Sequence, residues 1–122
     1  MPSVNGSEHI TIGCWNIQGL VNNTHDKSVD ETFLNAISDI DVVALVETHL
    51  VEGQGNIPVI ADFDTKYFNR PKHHRAAHGS GGIGILSKPH VTQGLKFIPS
   101  KDNNQVWVKF EISIGTNIYL YA

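Results

Sequence analysis

The stretch Asp41-Val42-Val43-Ala44-Leu45-Val46-Glu47 decides the fold. Five apolar side chains in a row leave no polar alternate position, so a strand here must be covered on both faces. A strand with one wet face would alternate instead. An acid closes the run at each end, which limits the buried part to one short strand.

Toward the amino terminus, Ile10, Ile12, Cys14 and Asn16 alternate with Thr11, Gly13 and Trp15, a period of two that predicts a strand ending near Asn16. Cys14 is expected to pack within it. Between the two strands, Ser28 stands three residues before Glu31, the spacing of a capping box, whose loss typically costs ~1 kcal/mol. Val29, Phe33, Ile37 and Ile40 then recur at helical spacing and define one buried stripe on a short helix ending near Asp39. Strand, helix and strand within residues 10–47 make a crossover, so the two strands are predicted to run parallel.

Toward the carboxyl terminus the pattern changes. Residues 48–64 read as loop, 67–69 as a short strand and 71–80 as a basic loop. Residues 82–86, 91–98, 106–112 and 117–121 read as successive strands separated by Pro, Gly and Asn signals. Val106, Val108, Phe110 and Ile112 form an apolar face opposite Trp107, Lys109 and Glu111, and the short connection 113–116 predicts an antiparallel hairpin. The expected class is α/β (α+β), with mixed, mostly antiparallel pairing and one βαβ crossover.

The chain has 122 residues, 40% of them hydrophobic, and a net charge of -3, which bounds it to one small domain and argues against wholesale disorder. One cysteine excludes an internal disulfide framework and a four-cysteine zinc site, and fits a reducing compartment. The longest clean apolar run is far too short for a membrane span, and Met1-Pro2-Ser3-Val4-Asn5 is not a signal peptide. The expectation is an intracellular protein, nuclear or cytoplasmic, with no membrane partner and a disordered lead-in at 1–9. The net charge hides a segregation. Residues 1–64 carry ten acids and a single base, Lys27, whereas residues 65–101 carry seven bases and no acid. Such a stretch suits an anionic partner, and chance placement of solvated lysines is the competing reading.

Asn16 and Glu47 each close a strand, and parallel pairing puts both ends on the sheet edge where ligands of α/β sheets bind. Magnesium is commonly held by one or two carboxylates plus waters and phosphate oxygens, so one Glu beside one carboxamide is a candidate half-site. A strand-terminal glutamate in water is the competing reading.

Four blocks carry a further resemblance: Trp15-Asn16-Ile17-Gln18-Gly19-Leu20, Asp41 through Leu50 with its Val46-Glu47-Thr48-His49 core, Ser80-Gly81-Gly82-Ile83-Gly84-Ile85-Leu86, and Ile118-Tyr119-Leu120-Tyr121-Ala122. In order and spacing they resemble the opening half of the endonuclease/exonuclease/phosphatase superfamily. Within it, the chain is most similar to the endonuclease domain of non-LTR retrotransposons and to exonuclease III and apurinic endonuclease relatives. The resemblance implies the N-terminal half of a two-sheet α/β sandwich, residues 10–122, from a divalent-metal phosphodiesterase using Mg2+ or Mn2+ on nucleic acid, chiefly DNA. It makes Glu47 the metal-binding glutamate, Asn16 the active-site asparagine and metal neighbour, and Tyr121 the tyrosine that contacts the scissile phosphate. His49 follows in the same motif and faces the site. Gln18 stands where many relatives carry Asp or Asn.

The family's Asp-x-Asn motif and terminal Asp-His pair follow the tyrosine in chain order, and here Ala122 follows Tyr121. The expectation is therefore a truncated domain, inactive alone, whose uncovered inner face leaves it aggregating, partly molten or in need of a complementing C-terminal half. A non-catalytic phosphate-backbone-binding module and a phosphatase of the same superfamily are the alternatives. In the basic loop, Arg70, Lys72 and Arg75 are candidate nucleic-acid contacts. Gly79 to Gly84 matches G-x-G-x-x-G, but it precedes a strand pattern and not a helix, which argues against a dinucleotide site. His73, His74 and His78 lack the companions of a zinc site. The sequons at Asn5 and Asn22 are read as accidental.

Overall fold

The computed structural model describes residues 10–21, 26–50, 58–69, 81–101, 105–111 and, as backbone, 117–121. The expected lead-in at 1–9 and basic loop at 71–80 lie outside the described residues. Among the described residues seven strands form two sheets. β1 (Ile12–Asn16), β2 (Val42–Val46), β3 (Asp64–Phe68) and β4 (Ile83–Ser87) make a four-stranded sheet in the order β1-β2-β4-β3. β5 (Leu95–Pro99), β6 (Val106–Glu111) and β7 (Asn117–Tyr121) make a three-stranded one. Among the described strands only β1 and β2 pair in parallel, with Asn16 opposite Val46, and the other pairings are antiparallel. The class is α+β, as the patterning predicts.

β2 is buried on both sides, for the reason its composition demands. Val42 and Ala44 join Ile83, Ile85 and Phe68 in a core shared with Val106, Val108 and Phe110 of the second sheet. Val43 and Leu45 join Leu86 in a second core with Phe33 and Ile37 of the helix α1 (Glu31–Ile37). Fully burying one such side chain contributes roughly 1.5–3 kcal/mol, so packing holds a seven-residue helix that would be unstable in isolation. Gly13 allows β1 to lie against this helix layer, because a Cβ there would sit 3.1 Å from Ile40 Cδ1.

The helix begins differently from the capping-box reading. Asp30 is its N-cap, accepting from Thr32 N and Phe33 N at 2.8 and 3.2 Å. Ser28 is buried in a 3-10 turn, Lys27–Val29, where Asp26 accepts from its backbone N and its hydroxyl. Asp26 reaches the Ser28 amide from two residues away, a tighter local loop than Glu31 would close, and Asp30 is a stronger acceptor than the Ser28 hydroxyl that was expected to cap the helix. Val29 is consequently 71% exposed and leaves the stripe, while Phe33 and Ile37 stay in it.

Three further corrections concern strands. The strand expected over 91–98 starts later. Pro89 opens a helical turn, α2 (Pro89–Thr92), and Gly94 N closes it on Val91 O before β5 begins. β3 begins three residues earlier than predicted, at Asp64. Cys14 does not pack: it is exposed, as is Ile12. Both lie opposite residues of the inter-sheet core, Val42 and Ala44, but the inter-sheet core draws on β2, β3 and β4 and not on β1.

Tyr67 lies in the helix-side layer, where Gly84 leaves room for its ring, and its hydroxyl donates to Pro58 O at 2.9 Å. Burial, with a smaller contribution from the Asp26 charge, pushes the phenol up to about 12. A raised acid favours the protonated fold, so this contribution is whole below about pH 10 and is lost as pH rises toward 12. Phenolate absorbance should therefore show one tyrosine titrating near pH 12, and Tyr67→Phe should flatten the alkaline fall in stability. Titration of every tyrosine near pH 10 would contradict this.

Candidate functional site

The parallel pair β1 and β2 carries its register one step past the strands. Ile17 N donates to Val46 O at 3.0 Å, Gly19 N to Glu47 O at 2.7 Å and Leu20 N to Thr48 O at 2.9 Å. On the other side, Thr48 N donates to Gly82 O at 3.3 Å and His49 N to Gly81 O at 2.8 Å, which extends the contact with β4. The segment 47–49 is thus gripped from both flanks. Without that grip it would not keep its backbone, because Glu47 and His49 have φ of 57° and 62°, and Gln18 across from them has 49°. Each such residue costs of order 1–3 kcal/mol and persists where surrounding structure over-determines it.

The strain sets directions. The central residue, Thr48, is fully buried, and the flanking side chains emerge toward the open edge: Glu47 is about half exposed and His49 about a quarter. Asn16 Nδ2 donates to Glu47 Oε2 at 2.5 Å, while Asn16 Oδ1 accepts from Gln18 N at 3.2 Å. The other carboxylate oxygen, Glu47 Oε1, lies 3.7 Å from His49 Nε2. Lys27 Nζ donates to Ile17 O at 2.5 Å and braces the loop after β1.

Asn16 and Glu47 are therefore brought together, as the strand-end argument predicts, and His49 stands beside them. Tyr121 ends β7 opposite Trp107, in the other sheet. Arg70, Lys72 and Arg75 lie outside the described residues. The rest of the basic segment is partly committed to its own protein. Lys88 Nζ donates to Ser38 O and lies 4.9 Å from the Phe63 ring centroid, and Lys96 pairs with Glu111 at 3.1 Å. Lys66 and Lys101 are exposed. Counting charges along the chain could not separate these two groups.

Sequence reading missed Thr48, Gly82 and Lys27. The available signal was Gly81-Gly82, taken only as a means of tight backbone approach to a strand. That reading holds, since both glycines have positive φ and lead directly into β4 and not into a helix. The tighter reason is contact: a Cβ on Gly82 would collide with Thr48 Oγ1.

Donor chemistry permits a divalent cation at this edge. Glu47 offers an exposed carboxylate with one oxygen not taken by Asn16, which fits a magnesium-type half-site completed by water and phosphate oxygens. Among the described residues no group of three or more His, Cys, Asp or Glu could form an all-protein cage.

No family model matches the chain, and no curated protein matches it by sequence. Among solved structures, the fold is similar to that of an AP endonuclease from Leishmania major, with a TM-score of 0.60 and 17% identity. The match covers 88% of this chain and 38% of that one. At this identity the likeness is one of fold, and the chain spans 38% of that protein's length. No helix among the described residues is long and apolar enough to cross a membrane.

The Thr48–Gly82 contact makes a stability prediction. Gly82→Ala, at φ +91° and against Thr48, should destabilise the fold by about 2 kcal/mol or more. Combined with Thr48→Ala it should cost less than the two changes summed, with a coupling of roughly 0.5–3 kcal/mol in urea unfolding. Simple additivity would mean that the two residues do not press on one another.

Proposed function

We propose that this chain carries the metal-carboxylate portion of a divalent-metal phosphodiesterase acting on nucleic acid, an endonuclease of the AP-endonuclease kind. The observation that carries the reading is the Asn16 to Glu47 hydrogen bond at the carboxyl ends of two parallel strands, on an AP-endonuclease-like fold. Glu47, with Asn16 beside it, would hold Mg2+ or Mn2+. A bound cation supplies Lewis-acid stabilisation of phosphate charge and lowers the pKa of bound water. His49 faces the same edge, Tyr121 would contact the scissile phosphate, and Arg70, Lys72 and Arg75 would contact backbone phosphates of DNA.

Further groups are needed for turnover. Metal, water activation and charge stabilisation act together in phosphoryl transfer, and removing one electrostatic donor costs roughly 3 kcal/mol, or about a hundredfold or more. Asn16, Glu47 and His49 supply only part of that set, so these residues by themselves are not expected to turn over substrate. Polypeptide covering the exposed face of β1, where Ile12 and Cys14 lie, is the natural bearer of the remaining groups.

DNA binding tests it. Duplex affinity should rise on adding Mg2+, and Glu47→Ala should abolish that rise while leaving the salt-dependent part. Affinity that ignores Mg2+ and Glu47, and falls linearly with log[salt], would instead support a non-catalytic phosphate-backbone-binding module. With supercoiled plasmid and Mg2+, the pure chain should cleave at background rate. Nicking that Glu47→Ala removes would overturn the expectation of inactivity.

A further inference from the structure

Asn16 is occupied at both ends of its carboxamide. Its Nδ2 donates to Glu47 Oε2 at 2.5 Å and its Oδ1 accepts from Gln18 N at 3.2 Å. The reverse orientation would face oxygen against carboxylate and NH2 against an amide N-H, so the network determines which atom is which. What orients Asn16 is therefore the direction of the Gln18 N-H.

That N-H belongs to the same peptide group as Ile17 O. A trans peptide is planar, so its carbonyl and its N-H point in opposite directions and turn together. Lys27 Nζ donates to that carbonyl at 2.5 Å. A relay thus runs from ammonium to carboxylate: Lys27 to Ile17 O, across the peptide to Gln18 N, on to Asn16 Oδ1, across the carboxamide to Nδ2, and so to Glu47 Oε2. Both amide dipoles along it point the same way, with a cation at one end and an anion at the other. Hydrogen bonds in such a series polarise and strengthen one another.

The peptide needs holding. Gln18 has a φ of 49°, a costly value for a residue with a side chain. Turning the Ile17–Gln18 peptide over would return Gln18 to negative φ and carry its N-H away from Asn16. A charge-assisted bond from Lys27 opposes that flip. Lys27 is itself anchored across the loop, where its N donates to Leu20 O at 2.9 Å beside the bridge between Val21 and Asp26. Residues 1–64 hold no other base that could replace it.

We propose that Lys27 is a positioning residue of this edge: it locks the Ile17–Gln18 peptide, and through it the Asn16 carboxamide, so that Glu47 is held in one orientation for a divalent cation. The inference rests on the reading of Glu47 as a cation ligand and adds to it a residue that touches neither Glu47 nor the cation.

Lys27→Met keeps the stem and removes the ammonium, and Lys27→Arg returns a charged donor. In the isotope-labelled full chain, Lys27→Met should shift the magnetic resonance signals of the Gln18 amide and the Asn16 carboxamide and leave Ile17 N, bonded to Val46 O, in place. Mg2+ affinity, read by calorimetric titration, should fall about tenfold, as for losses behind a metal ligand. Lys27→Arg should restore both readouts. The sign is diagnostic, because removing a lysine that acted by charge alone would tighten Mg2+ binding. A general loss of structure would move Ile17 N as well, and either result overturns the inference. The wild-type chain gives a check that needs no variant: the Lys27 ammonium should give slowly exchanging signals that the exposed Lys66 and Lys101 do not, and fast exchange would overturn the lock even if Lys27→Met failed to fold. Unmoved Asn16 and Gln18 signals in Lys27→Met, or Mg2+ affinity that this change leaves intact while Glu47→Gln lowers it, would overturn the inference and spare the carboxylate reading. Signals that move and are restored by Lys27→Arg, with Mg2+ affinity indifferent to Glu47→Gln, would support the relay and overturn the cation reading.

Discussion

A strand with no polar face imposes the architecture. Val42 to Val46 can be dry only if something lies on each side of it, and the two cores divide along its alternation. Even-numbered Val42 and Ala44 meet the three-stranded sheet, and odd-numbered Val43 and Leu45 meet the helix. An ionised side chain inside that sandwich would be costly unless paired. Glu47 is the first residue after the run and the first place where the chain can carry charge again, so the acid emerges at the sheet edge. The location of the candidate chemistry is a consequence of where burial stops.

Its geometry has a second cause. A regular strand would set Glu47 and His49 on one face of the sheet about 7 Å apart, with Thr48 on the other. Here two left-handed residues flank a buried threonine, so the acid and the imidazole reach the same opening. The strain is offset by backbone hydrogen bonds to the loop after β1 and to the residues before β4. That arrangement needs Gly82 without a side chain against Thr48, and Gly19 without one beside the His49 ring. Backbone strain concentrated on the residues with chemical potential is what a preorganised site requires.

The exposed positions of β1 follow from an inter-sheet core that draws on β2, β3 and β4 and not on β1. Ile12 and Cys14 have the alternation of a buried strand and the exposure of an edge. Meanwhile Lys88 donates to Ser38 O and the exposed Lys96 pairs with Glu111, whereas Lys66 and Lys101 are exposed members of the same acid-free stretch.

What the sequence alone determined is whatever follows from periodicity and from side-chain type. The doubly buried β2, the parallel β1, the alternating β6 with its hairpin to β7, and the pairing of Asn16 with Glu47 all rest on local pattern plus the rule that parallel strands end on one edge. Tertiary structure decided what depends on competition or on contact at long range. Asp26 took the Ser28 amide that Glu31 was expected to reach, and Asp30 capped the helix two residues later than Ser28 would have. Cys14 stayed exposed because its burial depended on a neighbouring layer, not on its own alternation. The turning of His49 toward Glu47 came from backbone bonds to Gly81 and from the seat at Gly19. Those partners lie about thirty residues away on either side in sequence. Local spacing encodes which face a residue prefers, but only the packed neighbours decide whether that face is covered and where a strained side chain points.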